Sequence, residues 1–474
     1  MNTLSFAPLA RAALPSGLYQ ELYQQGPRYT SYPTADRFHA GIGPESLRRA
    51  LIARAADPAR AQEPASLYIH IPFCQSICYY CACNKVITKH QDKAAPYLEA
   101  LAQEMRNVVR HAGPALPINQ LHLGGGTPTF FTDEQLSELM RLARSHFTLL
   151  PDAEISIEID PRTVNRTRLQ HLWTLGFNRV SFGIQDFDPA VQQAIHRIQP
   201  LADVTRTIAQ ARSVGFQSIN ADLIYGLPKQ TREGFAQTLS DTAALRPERI
   251  ALFGYAHLPQ RFKPQRRINA QDLPDPDTRI QLLQDAIDQL QAAGYVYIGM
   301  DHFALPADPL ARAKQAGTLN RNFQGYTTLA DGDLIALGVS AISRIGSYYL
   351  QNSHDLEHYY ELLHRDGFAT SRGIEISRED AWRAHLIQTL MCRGELDLGP
   401  LSATLNVPLH ERLEAELASL APMAEIGLLD APALQRGKVI VTNLGWHFIR
   451  AIAMRFDPYL SKPDLPSTRF SQVV

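Results

Sequence analysis

The sequence predicts an α/β fold, in which a partial (βα)6 parallel barrel lies between an N-terminal arm and a mostly helical C-terminal domain. Six short β-like runs fall in the first two thirds of the 474 residues, and segments of helical length separate them. The composition, with 45% hydrophobic and 20% charged residues, is typical of a chain with large cores. Strands that alternate with helices pair in parallel through right-handed crossovers, so six such units favour a barrel over an antiparallel sandwich.

Each β-like run is apolar or alternating and begins or ends near Gly or Pro. The runs are 66–71, 120–124, 154–160, 179–183, 218–224 and 249–253. In the last segment between them, Phe235, Leu239 and Thr242 recur on one face, as an amphipathic helix requires. The helices are expected at 94–111, 133–147, 166–175, 202–214 and 232–245.

The same pattern predicts three domains, with an arm or lid at 1–60, the barrel at 61–300 and the C-terminal domain at 301–474. The Pro- and Gln-rich stretch 259–277 is interpreted as a linker, and 295–300 as a further strand. At 375–455, a helix, a strand pair (427–430 with 438–442) and a helix resemble a winged helix. The helix at 409–420 lacks the basic stripe that phosphate contacts demand, which favours a cap on the barrel over a nucleic-acid-binding module.

Charge and hydropathy argue against several classes of partner. Lys plus Arg total 46 and Asp plus Glu total 47, so a net charge of −1 gives no bulk attraction to nucleic acid or to an anionic membrane. No apolar run approaches the roughly 20 residues of a membrane-spanning helix, and residues 1–18 lack the features of a secretion signal. We therefore expect a cytoplasmic protein, without nucleic-acid or membrane partners, that is a monomer.

Four of the five cysteines lie in one ten-residue stretch after the first strand. Cys74, Cys78 and Cys81 are four and three residues apart, Cys83 follows them, and Cys392, interpreted as structural, lies far away. Three thiolates at this spacing can converge on one inorganic centre, and a [4Fe–4S] cluster held in this way keeps one iron open for a small molecule. Zinc and a cluster of buried structural cysteines are the alternatives, although a zinc site usually gathers its four ligands as two separated pairs.

A glycine run follows the second strand. The run Gly124-Gly125-Gly126-Thr127-Pro128 offers backbone without side chains, which a ligand can approach closely. Alone it is weak evidence, because loops after strands often carry Gly for turn geometry. Its place at the carboxyl end of a parallel strand, one unit after the cysteines, strengthens the prediction of a ligand site.

The cysteine pattern and the glycine run resemble the radical S-adenosylmethionine superfamily, and further blocks resemble its branch of oxygen-independent coproporphyrinogen III oxidases. The similar blocks are 26–34, 68–74, 83–85, 154–162, 183–187, 222–231, 255–259, 299–303 and 322–328. Haem-trafficking relatives with the same barrel keep three cysteines but lack Cys83 and the arm motif. The sequence departs from the family pattern at His196 and Gly254, where Asn is more usual.

The resemblance implies oxidative decarboxylation of two propionate side chains of coproporphyrinogen III to vinyl groups, giving protoporphyrinogen IX in haem biosynthesis. It implies a [4Fe–4S] cluster on Cys74, Cys78 and Cys81, two molecules of S-adenosylmethionine, a tetrapyrrole substrate and a reducing electron donor whose identity the sequence leaves open. Cys83 is expected to be a thiol near the active centre that affects turnover, with a packed side chain as the alternative. A haem chaperone on the same scaffold is the alternative function.

Matching positions also imply the contacts of the cofactor. One S-adenosylmethionine is expected at Tyr68, Gly126, Glu158 and Ile342, and the other at Tyr80, Thr127, Pro128, Gln185, Arg197, Asp222 and Ala256. These types suit the ligand, because carboxylates accept hydrogen bonds from hydroxyl or ammonium groups and a guanidinium pairs with a carboxylate. For the polyanionic substrate we expect Arg28 and Tyr29, on an arm that closes as a lid, with Arg321 or His302 as weaker candidates.

Overall fold

The computed structural model describes residues 22, 24–323, 325–329 and 332–461. The predicted arm and C-terminal domain therefore extend beyond the described residues at both ends of the chain. The strands are β1 Ala65–Ile71, β2 Phe73–Cys74, β3 Val86–Ile87, β4 Leu116–Gly125, β5 Phe147–Ile159, β6 Arg179–Gln185, β7 Ser218–Tyr225, β8 Arg249–Gly254, β9 Val296–Gly299, β10 His302–Ala304, β11 Asn320–Asn322, β12 Gly325–Thr327, β13 Leu334–Leu337, β14 Ile342–Ile345, β15 Tyr348–Asn352, β16 Thr370–Glu375, β17 Glu395–Asp397 and β18 Lys438–Ile440. The α-helices are α1 Pro44–Ala56, α2 Pro58–Gln62, α3 Ala94–Ala112, α4 Asp133–His146, α5 Arg166–Thr174, α6 Pro189–Ala194, α7 Leu201–Val214, α8 Arg232–Leu245, α9 Pro276–Ala292, α10 Pro309–Ala316, α11 Leu356–Asp366, α12 Arg378–Arg393, α13 Leu398–Leu405, α14 Leu409–Arg412, α15 Glu414–Glu425, α16 Ala431–Gln435 and α17 Ile449–Ala453.

The centre of the fold is a run of parallel strands in the order β13, β1, β4, β5, β6, β7 and β8. The six predicted strands are confirmed as β1 and β4 to β8, and their parallel pairing confirms the partial barrel. Strand β13 was not predicted, because a four-residue apolar run cannot be distinguished from a buried helical turn by its periodicity. Antiparallel strands extend the sheet at both edges, namely β14 to β16 beyond β13, and β10 and β9 beyond β8.

The predicted helices between the strands are confirmed as α3, α4, α5, α7 and α8. Helix α4 shows why the sequence folds in this way locally. Its N-cap Thr132 accepts a hydrogen bond from the Gln135 backbone N–H, and the Gln135 side chain accepts one from the Thr132 N–H. Leu136, Leu139 and Met140 then bury one face of the helix against the sheet.

The chain after the barrel begins with strands and ends with helices. Seven short strands lie between His302 and Glu375, and helices dominate the described residues from Arg378 onward. In the predicted winged-helix-like end, β18 pairs with β17, which the sequence analysis missed, and an isolated bridge joins Leu429 to Val441. The helix predicted at 409–420 is two helices, α14 and α15. No helix in the described part of the chain is both long and apolar enough to cross a membrane.

The arm is fastened to the C-terminal helices. The hydroxyl of Tyr29 donates to Asp457 Oδ2 at 3.0 Å, and Arg450 donates to the carbonyl oxygens of Gly26 and Pro27. Burial raises the pKa of Asp457 to about 6, although the hydrogen bond from Tyr29 opposes this effect. The arm in this conformation therefore depends on residues near the opposite end of the chain.

A buried carboxylate ties the arm helices to the sheet edge. Asp333 lies just before β13 and accepts from Arg54 Nη1 and Arg60 Nη2, each at 2.8 Å, and from the Gly346 N–H at 2.8 Å. Arg54 is 1% exposed, so Asp333 is the counter-charge of a guanidinium that water cannot reach.

We expect Asp333→Ala to lower the free energy of unfolding by about 3 kcal/mol, because it leaves the Arg54 guanidinium buried and unpaired. Urea unfolding followed by circular dichroism measures this loss. Asp366→Ala is the control, since it removes an exposed partner of Arg365 and should hardly move the unfolding midpoint. Equal midpoints for the two variants would contradict the prediction.

Candidate functional site

A cavity of about 470 Å³ occupies the interior of the partial barrel. Its lining includes the cysteine loop after β1, the glycine run after β4, and side chains of β5, β6 and β7. The carboxyl ends of parallel strands meet at one edge of a sheet, which is why segments far apart in sequence face one another here.

The four clustered cysteines line this cavity together. The loop that carries them is held from several directions. Thr127 Oγ1 lies 3.4 Å from Cys74 Sγ, and Gln265 Nε2 donates to the Tyr80 carbonyl oxygen at 3.1 Å. The Tyr79 N–H donates to the Ile195 carbonyl oxygen at 2.9 Å. The sequence-predicted ligands Cys74, Cys78 and Cys81 are therefore brought to one wall of one cavity.

The chemistry of this donor set fits an iron–sulfur cluster. Three thiols face a common space, and Arg197 Nη1 lies 3.5 Å from Cys78 Sγ, where it can stabilise a thiolate. A hydrogen bond from Cys83 lowers the pKa of Cys81 to about 6, against the effect of burial. The described residues hold no group of three or more His, Cys, Asp or Glu side chains that could hold a metal ion. A [4Fe–4S] cubane does not require such a group around a single ion, because each thiolate binds a different iron atom.

The glycine run packs tightly against the strand that leads into the cysteine loop. The Gly126 N–H donates to the Ile71 carbonyl oxygen at 2.8 Å. A Cβ at Gly126 would lie 2.6 Å from the Pro72 carbonyl oxygen and 2.8 Å from that of Phe73. The sequence analysis interpreted the run as a place of close ligand approach, and the structure adds that Gly126 is needed for backbone packing beneath the cysteine loop.

A second cavity of about 300 Å³ adjoins the first. Tyr68, Glu158 and Ile342, three of the four residues expected for one S-adenosylmethionine, line it together with His70 and His122. The fourth, Gly126, lines the main cavity, and Glu158 and His122 line both. The first predicted set is therefore brought together around the junction of the two cavities.

Hydrogen bonds fix the charge and orientation of Glu158. Its carboxylate accepts from the Gly125 N–H at 3.1 Å and lies 3.3 Å from His122 Nε2. Burial opposes ionisation, but the contact with His122 and the bond from Gly125 outweigh it and hold the pKa of Glu158 below its ordinary value. Glu158 is therefore an anionic acceptor at neutral pH.

The second carboxylate of the cavity behaves in the opposite way. Burial, together with the charge of Glu158, raises the pKa of Asp222 to about 6. Ser181 Oγ donates to Asp222 Oδ2 at 2.9 Å, and Asn220 Nδ2 donates to Oδ1 at 2.7 Å. Asp222 is thus oriented by its neighbours and less acidic than Glu158.

Of the other residues expected to contact the second S-adenosylmethionine, some line the main cavity and some do not. Tyr80, Thr127, Gln185 and Arg197 line the main cavity with Asp222. Pro128 is buried and Ala256 presents its carbonyl oxygen to Gln265 Nε2 at 3.1 Å, and neither residue lines the cavity. Gln185 has a φ of 68°, a left-handed conformation that places it at a break in the β6–β7 register.

Arg197 already has a carboxylate partner in the structure. It was expected to pair with a ligand carboxylate, but its Nη1 bonds Asp160 Oδ2 at 3.0 Å and its Nη2 bonds the Gly183 carbonyl oxygen at 2.7 Å. Burial disfavours its charge, while Tyr80 and Asp160 raise its pKa above the ordinary value. A ligand carboxylate at Arg197 would have to share this guanidinium with Asp160.

Sequence reasoning missed much of the polar lining, although a signal was present. Polar side chains recur at every second position of the barrel strands, as expected for residues that face one side of a strand. The missed cavity residues of this kind are Gln120, His122, Glu154, Ser156, Arg179, Ser181 and Asn220. Asp160 and Lys85 were also missed. The alternation of polar side chains could have predicted a polar wall inside the barrel. It is present in residues 120–122, 154–158, 179–183 and 220–222.

The residues expected to bind substrate carboxylates lie behind one wall of the main cavity, apart from His302, which lines it. Arg28 lies 5.6 Å from the Phe253 ring and pairs with Asp301. Burial, with repulsion from Arg450 and Arg321, lowers the pKa of Arg28 to about 9. Arg321 lies 4.7 Å from the Tyr326 ring, and its Nε and Nη1 lack hydrogen-bond partners in the described structure.

Tyr29 does not line the main cavity, because its hydroxyl is bonded to Asp457. It lines a separate small cavity of about 50 Å³ together with Arg321.

The two residues at which the sequence departs from the family pattern are also constrained. His196 has a φ of 56°, a left-handed conformation that Asn adopts readily, and a Cβ at Gly254 would lie 2.9 Å from the Tyr225 hydroxyl.

Comparison with known proteins identifies relatives over almost the whole chain. Residues 68–242 match the radical SAM superfamily. The oxygen-independent coproporphyrinogen III oxidase of Pseudomonas aeruginosa is 49% identical over 454 residues, which cover 95% of this chain and 96% of that protein. The Escherichia coli protein of the same name is 45% identical over 96% of this chain and 98% of its own. The solved structure of coproporphyrinogen III oxidase from Escherichia coli, described as a radical SAM enzyme, matches with a TM-score of 0.87 and 44% identity over 94% of this chain and 99% of that chain.

We expect Gly126→Ala to displace the cysteine loop, because the new Cβ would meet backbone atoms that no side-chain rotation can move. Overpacking of this kind costs about 1–3 kcal/mol in stability, and here it acts directly under the thiols. Iron bound per chain after anaerobic reconstitution measures the effect and should fall strongly. Gly399→Ala is the matched control, since its Cβ would have ordinary contacts, with the nearest atom at 3.6 Å. Equal iron content in the two variants would contradict the prediction.

Proposed function

The chain belongs to the oxygen-independent coproporphyrinogen III oxidases of the radical SAM superfamily, and from this membership we propose that it converts two propionate side chains of coproporphyrinogen III to vinyl groups, giving protoporphyrinogen IX in haem biosynthesis. The observation that carries the proposal is that three thiols, the glycine run and two carboxylates of different acidity line one barrel cavity. This combination suits a redox centre beside a bound polar ligand.

We assign the cluster to Cys74, Cys78 and Cys81, whose thiols line the cavity. When bound, the cluster and S-adenosylmethionine supply the one-electron chemistry that removes a hydrogen atom from each of the two propionates that become vinyl groups. The chain's own residues orient and shield this chemistry. Thr127 contacts Cys74, and Arg197 contacts Cys78.

The two adjoining cavities support a second part of the proposal, namely that two S-adenosylmethionine molecules bind. Tyr68, Gly126, Glu158 and Ile342 would contact one, and Tyr80, Thr127, Pro128, Gln185, Arg197, Asp222 and Ala256 the other. Glu158 is anionic and suits an ammonium or hydroxyl donor. Asp222 keeps its orientation through Ser181 and Asn220. Cys83 is proposed as a thiol that affects turnover, since it lines the cavity and bonds Cys81.

The substrate carries four carboxylates, and we propose that Arg28, Tyr29, Arg321 and His302 bind them. Burial, with repulsion from Arg450 and Arg321, lowers the pKa of Arg28 to about 9, so the pairing of Arg28 with Asp301 leaves this cluster of guanidinium groups short of negative charge. A propionate would relieve this repulsion and bond the unpartnered N–H groups of Arg321. Phe253 and Tyr326 would have to move aside to admit it.

Anaerobic turnover tests the proposed function. Reconstituted protein, dithionite, S-adenosylmethionine and coproporphyrinogen III should yield protoporphyrinogen IX with two S-adenosylmethionines consumed for each product. Cys74→Ser should lose both iron and product, because it removes one cluster ligand. A haem chaperone on this scaffold would yield neither protoporphyrinogen nor 5′-deoxyadenosine, and that outcome would overturn the proposal.

We expect Arg28→Ala to raise the KM for coproporphyrinogen III about tenfold, since a hydrogen bond to a charged group contributes about 1.5–3 kcal/mol. Initial rates over a range of substrate concentrations measure this change. Arg48→Ala, at a partly exposed arginine on α1 of the same arm, is the matched control and should keep the wild-type KM. Unchanged substrate affinity and turnover in Arg28→Ala would remove this residue from the substrate site.

A further inference from the structure

Three segments around the cysteine loop are strongly basic. Residues 72–91, 189–202 and 257–271 contain no Asp or Glu. Their seven cationic residues are Lys85, Lys89, Arg197, Arg261, Lys263, Arg266 and Arg267. In a chain whose net charge is −1, this is a marked local segregation of charge.

Direct contacts hold the three segments together. The cysteine loop bonds the 189–202 segment through the Tyr79 N–H and the Ile195 carbonyl oxygen at 2.9 Å, and through His196 Nδ1 and the Ile77 carbonyl oxygen at 2.8 Å. It bonds the short helix Lys263–Arg267 through Gln265 and Tyr80 at 3.1 Å. The three basic segments therefore lie against one another.

Among the cationic residues of these segments, Lys85 and Arg197 line the main cavity, whereas Lys89, Arg261, Lys263, Arg266 and Arg267 do not. Cys78, Tyr80 and Cys81 line the cavity, whereas Tyr79 does not. The Tyr79 ring stacks on His196 with centroids 5.0 Å apart, and the Arg267 guanidinium lies 5.2 Å from the centre of the Tyr79 ring. We call Tyr79, His196, Ile198, Arg266 and Arg267 the outer patch.

Exposed apolar side chains accompany the charge. Among the described residues, the exposed large hydrophobic side chains are Ile52, Ile87 at 41% and Ile198 at 55%. Ile87 pairs in register with Cys74, and Ile198 follows Arg197, which contacts Cys78. Two of the three thus lie beside proposed cluster ligands. Apolar residues within a charged rim are typical of a protein–protein contact.

We propose that the outer patch docks an acidic one-electron carrier protein that reduces the cluster through the outer side of the cysteine loop. The inference rests on the proposed function, because it requires the cluster. In the step itself the carrier loses one electron and the cluster gains it, and no atom is transferred. Opposite charges speed such encounters and make them sensitive to salt.

The polyanionic substrate is the other anion that a basic surface could attract. The geometry disfavours it as the occupant, since none of the five residues of the outer patch lines the main cavity. A carrier on the outer patch leaves the cavity free for S-adenosylmethionine and the tetrapyrrole, so reduction and substrate binding do not compete for space.

The test compares a protein donor with a small one. Purified flavodoxin with its NADPH-dependent reductase serves as the acidic carrier and dithionite as the small reductant, each with the reconstituted enzyme. The variant Arg266→Glu with Arg267→Glu reverses the charge of the outer patch. We expect its affinity for flavodoxin, measured by calorimetry, and its flavodoxin-driven turnover to fall at least about tenfold. Dithionite-driven turnover should be unchanged.

Two controls make the result specific. Arg412→Glu with Arg436→Glu reverses two exposed arginines of the C-terminal helical region and should behave as wild type. Added salt should weaken flavodoxin binding to the wild type far more than to the outer-patch variant. If the Glu variant does not fold, Arg266→Gln with Arg267→Gln removes the same charges and should lower flavodoxin affinity in the same direction.

Two results would overturn the proposal. One is wild-type affinity for flavodoxin in the outer-patch variant. The other is an equal loss of turnover with flavodoxin and with dithionite, because that loss would place the two arginines in the substrate site. Failure of the proposed function is distinguishable. It would abolish dithionite-driven product formation in the wild type, whereas flavodoxin binding and its salt dependence are measured without turnover.

Discussion

The parallel register of β1, β4 and β5 is the constraint on which the rest of the site depends. Ile71 pairs with Gly125, and Leu123 pairs with Ile157, so the cysteine loop, the glycine run and Glu158 leave the sheet side by side. A slip of one residue would turn Glu158 to the opposite face of β5. Gly126 makes the arrangement possible, because only a residue without a side chain fits under the carbonyl oxygens of Pro72 and Phe73.

The net charge of −1 conceals an uneven distribution of charge around these strands. Glu158 is held anionic by His122 and Gly125, while Asp222 beside it becomes less acidic. Buried arginines gather behind the Phe253 wall, and exposed ones gather on the outer side of the cysteine loop. A nearly neutral chain therefore has distinct electrostatic environments inside the barrel cavity, behind the Phe253 wall and on the outer side of the cysteine loop.

Sequence predicts the features that depend on local patterns. The six central strands and five helices were predictable because alternation and helical periodicity are local. The cysteine spacing predicted an inorganic centre, with zinc and structural cysteines as alternatives. Contacts between distant segments were not predictable. The Arg197–Asp160 pair joins residues 37 apart, and β13 becomes a strand only because β1 offers it an edge. The hydrogen bond between Tyr29 and Asp457 was not predictable either, because 428 residues separate its partners.

The bond between Tyr29 and Asp457 spans 428 residues and has a consequence for the order of assembly. Contacts between such distant segments form late in folding, because the chain must first close a very long loop. Synthesis delivers the arm before its anchoring helices, so the arm can reach its final position only after the residues between them have been made. A segment translated before the barrel is therefore secured only after the barrel has been made.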